Sequence, residues 1–230
     1  MPESNNSVQS DPVLAARKRF RLAQSTRDRI RSLMPRSLLS ELRRYQSCKD
    51  VGLTSYIRSR TSFALGLTRR RPRHVKPHSV IFVCFGNIMR SPMCEHLMQR
   101  AARSAKSPIR ISSAGLNAVT GREAHPWAIA ASREFGISLE NHRAKALTTE
   151  MIDNADLVLA MDFQNYTQLV SRFPYSRKKI AMLGAYGASG SGSIEIHDPY
   201  YDGPEGTSRC YKTLAACIDH LFQHLVTNHQ

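Results

Sequence analysis

The sequence predicts an α/β fold built on a parallel sheet, preceded by a basic extension. Three observations predict it. Short apolar runs at 80–84, 109–113, 156–161 and 179–183 have the length and composition of strands covered on both faces. Segments of helical period separate them, the alternation expected of βαβ units. Charge also divides the chain: of its net +15, residues 1–78 hold 18 Lys and Arg against 5 Asp and Glu, and the remainder holds 15 against 13.

Taken in order, residues 1–12 are polar and expected to be disordered. From Pro12 to about Tyr45, apolar residues including Leu14, Phe20, Ile30, Leu33 and Leu42 recur among arginines. Pro35 splits this stretch into two weakly amphipathic helices. Residues 46–68 show no clear pattern, and Arg69-Arg70-Arg71-Pro72-Arg73-His74 has the composition of a basic hinge. The extension is therefore placed at 1–78 and the domain at 79–228. Within the domain, helices are expected at 92–104, 126–136, 147–153, 163–172 and 206–226. The last carries Tyr211, Leu214, Ile218, Leu221 and Leu225 at helical spacing, and Cys210 and Cys217 on the same helix are expected to pack. Residues 184–204, rich in Gly and Ser, form the loop that delivers Asp198.

Several classes are set aside at this point. Nothing resembles an 18-residue apolar span, so no transmembrane helix is expected. The first twelve residues lack the basic-then-apolar design of a secretory signal. Five cysteines give no disulfide framework, and a reducing compartment such as the cytoplasm suits a reactive thiol.

Residues 80–92, Val-Ile-Phe-Val-Cys-Phe-Gly-Asn-Ile-Met-Arg-Ser-Pro, concentrate the chemistry. An apolar strand ends in Cys84, a tight loop follows, and Ser91-Pro92 opens a helix. Backbone N–H groups and the dipole at a helix start favour negative charge, and the thiolate is the nucleophilic form of cysteine. Arg90 supplies a planar fork for two oxygens of a phosphate-like group. Gly86 lets the backbone turn closely around the anion. The chemistry implied is attack by sulfur on phosphorus, with no metal or organic cofactor.

The run Val83 to Pro92 resembles the signature of the low-molecular-weight protein-tyrosine phosphatases. The similarity continues in the same order through Ser112-Ser113-Ala114-Gly115-Leu116, His142-Arg143-Ala144-Lys145, Ala160-Met161-Asp162 and Asp198-Pro199-Tyr200-Tyr201. It covers residues 79–228 and leaves the extension unexplained. The resemblance implies a flavodoxin-like three-layer fold on a four-stranded parallel sheet, with the site at the carboxyl ends of the strands.

It also implies roles. Cys84 would form a phosphocysteine, Arg90 would bind phosphate, and Asp198 would protonate the leaving phenolate and later accept a proton from water. Asn87 would hold a strained loop conformation. Ser91 would donate a hydrogen bond to the sulfur, with Ser113 and His142 in the same network. Phe85, Gly86, Ile88, Met89, Tyr200 and Tyr201 complete the substrate-binding set, the aromatic rings walling a recess deep enough for phosphotyrosine. Asp162 and Asn165 match a structural segment. Met89 stands where many relatives carry a second cysteine, and pairing Cys84 with Cys94 would require distortion, so poor recovery from peroxide is expected.

Alternatives on the same scaffold are narrower. Arsenate reduction needs two further cysteines on a mobile middle segment, and none occurs between Cys94 and Cys210. Protein-arginine phosphatases tend to carry Thr where this chain has Ile88. A non-catalytic phosphoprotein-binding module is the reading from another class, since a fold does not fix its function. The partners expected are tyrosine-phosphorylated proteins, including an autophosphorylating tyrosine kinase of polysaccharide export, because many bacterial relatives accompany one. Residues 12–75 suit an anionic membrane surface, giving a cytoplasmic protein peripheral to the membrane; charge alone specifies no nucleic acid.

Overall fold

A computed structural model describes residues 52–67, 77–187 and 194–227. The helices expected between Pro12 and Tyr45, the basic run Arg69–His74 and most of the extension lie outside the described residues. So does the middle of the Gly/Ser-rich loop. The sheet and every described helix belong to the unit Cys48–Gln230.

Four parallel strands form the sheet: β1 (Ser79–Cys84), β2 (Arg110–Gly115), β3 (Leu157–Ala160) and β4 (Ile180–Met182), in the order β2-β1-β3-β4. The helices are α1 (Leu53–Ala64), α2 (Arg90–Ser104), α3 (Pro126–Arg133), α4 (Thr149–Asp153), α5 (Phe163–Arg172) and α6 (Gly203–Thr227). The strands and helices expected within the domain all form, with boundaries shifted by a few residues. Among the described residues, no helix is long and apolar enough to cross a membrane.

β1 is buried along its whole length because it lies between β2 and β3 and is covered on both faces. Its side chains alternate, as a pleated strand requires. Val80, Phe82 and Cys84 face the core shared with α2, α3 and α6, while Ile81 and Val83 face the core shared with α1, α4 and α5. β2 is an edge strand, and its first three residues are exposed or half-buried rather than fully covered.

The chain leaves β1 for β2 on one side and returns to β3 on the other. The strand order therefore reverses beside the carboxyl end of β1, where open α/β sheets bind ligands. Cys84 ends β1 and Asp162 follows β3, so two chemistry-bearing residues flank that crevice.

Helix α1 was not foreseen, since residues 46–68 carry no strong amphipathic pattern. Tyr56 and Phe63 are nonetheless buried in the same core as α5. The Phe63 ring meets Phe163 at 5.2 Å and Tyr166 at 5.0 Å, both edge-to-face. Arg60 lies over the Phe163 ring at 5.7 Å. Two aromatic anchors suffice to seat a helix most of whose other positions stay in water.

Candidate active site

The segment Cys84–Ser91 wraps around the end of β1. Its left-handed residue is Asn87 (φ 53°), a conformation that Asn tolerates better than most residues. Gly86 is not left-handed, and a Cβ there would meet only the Ile88 side chain at 3.5 Å. Close approach is demanded at Gly115 instead, where a Cβ would come within 2.8 Å of the Asn87 nitrogen and 2.9 Å of the Gly86 carbonyl carbon. Gly115 pairs with Cys84 across β1 and β2, so the bare Cα lets the loop settle on the sheet edge.

Every polar atom of the Asn87 side chain is engaged. Its Nδ2 donates to Ser91 Oγ at 2.9 Å and to Ser113 Oγ at 2.8 Å, and its Oδ1 accepts from the Lys145 N–H at 2.8 Å. The Asn87 carbonyl accepts from His142 Nε2 at 2.7 Å, which puts the imidazole proton on that nitrogen. Ser113 Oγ, already an acceptor, donates to Glu95 Oε2 at 2.5 Å. Ser91 Oγ also accepts from Asn87, and its own proton has two acceptors, Cys84 Sγ at 3.0 Å and the Ala114 carbonyl at 3.4 Å, of which the sulfur is the nearer. The Asn87 N–H is 3.2 Å from the same sulfur. Two donors thus converge on one thiol in a buried site, where hydrogen bonds are stronger than in water.

Glu95 anchors this chain of bonds and was missed in the sequence. It lies one helical turn after Ser91 on α2, and that spacing was the available signal. Burial pushes the His142 imidazole down from its ordinary value, keeping it neutral against the partial offset from its bond to Asn87 and from Glu95.

Arg90 occupies the first helical position of α2 and is almost wholly buried. Its Nη1 donates to Asp162 Oδ2 at 2.7 Å and to the Ile196 carbonyl at 3.0 Å, and its Nη2 donates to Asp198 Oδ2 at 2.8 Å. Burial alone would disfavour the charge, but Asp198, Asp162 and Cys84 outweigh it and push the guanidinium pKa up. None of these three bonds uses Nε, so the fork keeps donors that can turn toward an anion.

Asp162 serves two partners. One of its oxygens caps α5 by accepting from the Asn165 N–H at 2.7 Å, and the other holds Arg90. Asp198 is divided in the same way. Its Oδ1 accepts from the Tyr200 N–H at 3.3 Å, starting the 3₁₀ turn Pro199–Tyr201, while Oδ2 pairs with Arg90. The sequence offered a turn former or an acid at this position; the geometry combines a turn cap with a half-exposed carboxylate at the site.

At the entrance, Tyr200 meets Tyr201 at 4.7 Å, and Phe85 and Tyr201 are exposed. Ile88 and Met89 turn their side chains into the core, so they can offer a ligand only backbone N–H groups. The Met89 carbonyl is fixed by the Tyr211 hydroxyl at 3.0 Å. His125 was missed as an entrance residue. It caps α3 by accepting from the Trp127 N–H, and its ring lies 5.3 Å from that of Tyr200. Asn165 is buried on α5, and neither polar atom of its side-chain amide has a hydrogen-bond partner among the described residues.

A sequence model described as low molecular weight phosphotyrosine protein phosphatase matches residues 79–230. The low molecular weight protein-tyrosine-phosphatase Wzb of Escherichia coli K12 is 34% identical over 137 residues, covering 60% of this chain and 88% of that protein. The solved structure of a low molecular weight protein tyrosine phosphatase from T. tengcongensis is 34% identical with a TM-score of 0.58, covering 64% of this chain and 98% of that one. The YwlE arginine phosphatase from Geobacillus stearothermophilus is 32% identical with a TM-score of 0.59, covering 66% and 94%.

Proposed function

The chain belongs to the low molecular weight phosphotyrosine protein phosphatase family and is a protein-tyrosine phosphatase, and from that premise we propose how its own residues perform the hydrolysis. The Cys84 thiolate attacks phosphorus in line with the tyrosyl oxygen, forming the S–P bond as the P–O bond breaks. Protonated Asp198 gives its proton to the departing phenolate. A water molecule then attacks the phosphocysteine, Asp198 takes the water's proton, and the sulfur leaves with Ser91 donating to it. Inorganic phosphate and free Cys84 result. Arg90 and the loop N–H groups hold the equatorial oxygens, where charge is spread during transfer.

One observation carries the reading: Cys84 Sγ is bracketed by Ser91 Oγ and the Asn87 N–H, while a fixed arginine links the loop to Asp198. Arginine-phosphatase likeness makes phosphoarginine a second substrate class. The aromatic entrance of Phe85, Tyr200 and Tyr201 favours the tyrosine ester.

The proposed partners are tyrosine-phosphorylated proteins, among them a kinase of polysaccharide export. The basic residues 12–75 would hold the enzyme at an anionic surface in the cytoplasm. The catalytic domain is taken as 79–228 and the extension as 1–78, with α1 on the extension side yet packed into the domain's core. A chain lacking residues 1–50 keeps α1, and it should lose binding to anionic liposomes while retaining activity. Equal liposome binding by both chains sinks the tether.

Catalysis is tested with para-nitrophenyl phosphate and with phosphotyrosine, phosphoarginine and phosphoserine peptides. Asp198→Ala should lower kcat on the phosphotyrosine peptide about 10²–10⁴-fold. Unchanged kcat would remove Asp198 from the mechanism. Faster turnover of phosphoarginine than of phosphotyrosine would shift the substrate class.

A further inference from the structure

The phosphate loop turns its carbonyls outward, and donors from other parts of the chain hold them there. The Cys84 carbonyl accepts from the Leu116 N–H at 3.0 Å and the Phe85 carbonyl from the Asn117 N–H at 2.9 Å, both just past β2. The Asn87 carbonyl is held by His142, and the Ile88 carbonyl by the His125 N–H at 2.9 Å. The Met89 carbonyl accepts from the Tyr211 hydroxyl at 3.0 Å. A trans peptide places its C=O and N–H on opposite sides, and the described residues include no cis bond. Each carbonyl drawn outward therefore aims the next residue's N–H into the loop, the side on which the Asn87 N–H lies 3.2 Å from Cys84 Sγ. The N–H groups of Met89 and Arg90 donate to no protein acceptor among the described residues. Arg90 opens α2, where the first N–H groups have no intrahelical partner.

Tyr211 differs from the other donors. Three of them are backbone N–H groups set by the fold, and His142 can titrate. Tyr211 is a phenol, wholly buried on α6 and 122 positions from Met89. Its ring meets that of Phe135 edge-on at 6.2 Å, which fixes where the hydroxyl points. Burial, with the thiols of Cys210, Cys94 and Cys84 adding to it, pushes the phenol well up, so its proton stays in place to be donated. The peptide it grips joins Met89 to Arg90. One bond thus sets the last N–H of the loop and the entry of the catalytic arginine into α2.

Resting on the phosphatase reading, we infer that Tyr211 is a positioning residue for phosphoryl transfer, whose hydroxyl holds the Met89–Arg90 peptide so that the Arg90 N–H meets the equatorial oxygens of the transferring group. A core tyrosine whose hydroxyl merely finds an acceptor contributes to stability and to nothing else.

Full-length Tyr211→Phe separates the two roles. On para-nitrophenyl phosphate its kcat should fall about 5–50-fold with KM within about twofold, because charge on the equatorial oxygens is spread furthest during transfer. The loss is smaller than the roughly 10²–10³-fold for a donor removed outright, since the N–H remains and only its aim is loosened. Vanadate, which takes up the five-coordinate geometry of transfer, should bind more weakly by a similar factor in calorimetry. Leu221→Ala, a cavity in the same helix two to three turns further on, should lower the urea midpoint at least as much and leave vanadate affinity unchanged. In the wild type, which needs no variant, the Arg90 amide resonance should shift when vanadate is added. Unchanged kcat and vanadate affinity in Tyr211→Phe, equal weakening in Leu221→Ala, or an Arg90 amide indifferent to vanadate overturns the inference and leaves the phosphatase reading intact. Absent turnover by the wild type would instead count against that reading, while the vanadate series still decides the role of Tyr211.

Discussion

Cys84 and Cys94 are the same side chain ten positions apart, both buried, and the protein treats them in opposite ways. Cys84 sits at the end of β1 with the Ser91 hydroxyl at 3.0 Å, the Asn87 N–H at 3.2 Å and the charge of Arg90 nearby. Cys94 lies one turn into α2 among Met93, Leu97 and α6, with no hydrogen-bond donor among the described residues. Burial pushes its thiol well up. The same cause pushes Cys210 up to about 12 and Cys217 up to about 11. Burial, then, does not decide whether a cysteine is reactive. Nor does the nearby charge alone, since Arg90 also opposes the upward shift of Cys94 and Cys210; what sets Cys84 apart is the Ser91 hydroxyl and the Asn87 N–H at its sulfur. A protonated Cys94 is also a poor attacker of an oxidised Cys84, which gives the expected weak recovery from peroxide a physical basis.

The sharpest way to break this contrast is to remove each thiol in turn. Cys84→Ser should lower kcat about 10⁴-fold or more, because an alcohol in the same pocket remains protonated. Cys94→Ala should leave kcat within about twofold and cost about 1–2 kcal/mol of stability for the small cavity it opens. Steady-state rates and urea midpoints on the two chains decide the matter. A catalytic defect in Cys94→Ala as large as that of Cys84→Ser would erase the distinction.

A smaller effect isolates the donors themselves. Ser91→Ala removes the hydroxyl that faces Cys84 Sγ and leaves Asn87 Nδ2 one acceptor short. Sulfur is then a worse leaving group from phosphocysteine, so turnover should fall about 10–100-fold, with the intermediate accumulating after a burst of phenolate. Rapid-quench measurement of the burst separates the two half-reactions. If the loss falls wholly on the burst, the hydroxyl serves attack and not departure.

These contrasts were unequally visible in the sequence. The strand, the loop and the helix start around Cys84 are local and carry their own signals: an apolar run, then Gly-Asn, then Ser-Pro. Asp198 was visible as part of an Asp-Pro pair. What the sequence concealed is contact across the chain. Glu95 has no unusual neighbours, and its role appears only when β2 brings Ser113 beside α2. The tie between Asp162 and Arg90 spans 72 positions, so no local pattern around Asp162 announces it. The glycine that the loop most needs is Gly115, on the adjacent strand, since the clash it avoids is with backbone from another segment. Helix α1 escaped notice for a related reason: Tyr56 and Phe63 are weak evidence for a helix until Phe163 and Tyr166 provide a surface to pack on.

The smallest effect extends the comparison from sulfur to imidazole. His142 resembles the buried thiols in being held toward its neutral form, but here neutrality is useful, because a single Nε2–H donated to Asn87 fixes the loop. Its folded pKa lies below the ordinary 6.5. Between the two values the unfolded chain binds more protons, so stability rises with pH there. The contribution is complete above about 6.5 and is lost as pH falls through the lowered folded value. Urea midpoints from pH 7.5 to 5.0 should therefore decline in the wild type by more than in His142→Gln, whose amide can donate the same bond without titrating. Parallel decline in the two chains would assign the acid sensitivity to other groups and leave His142 as an ordinary buried donor.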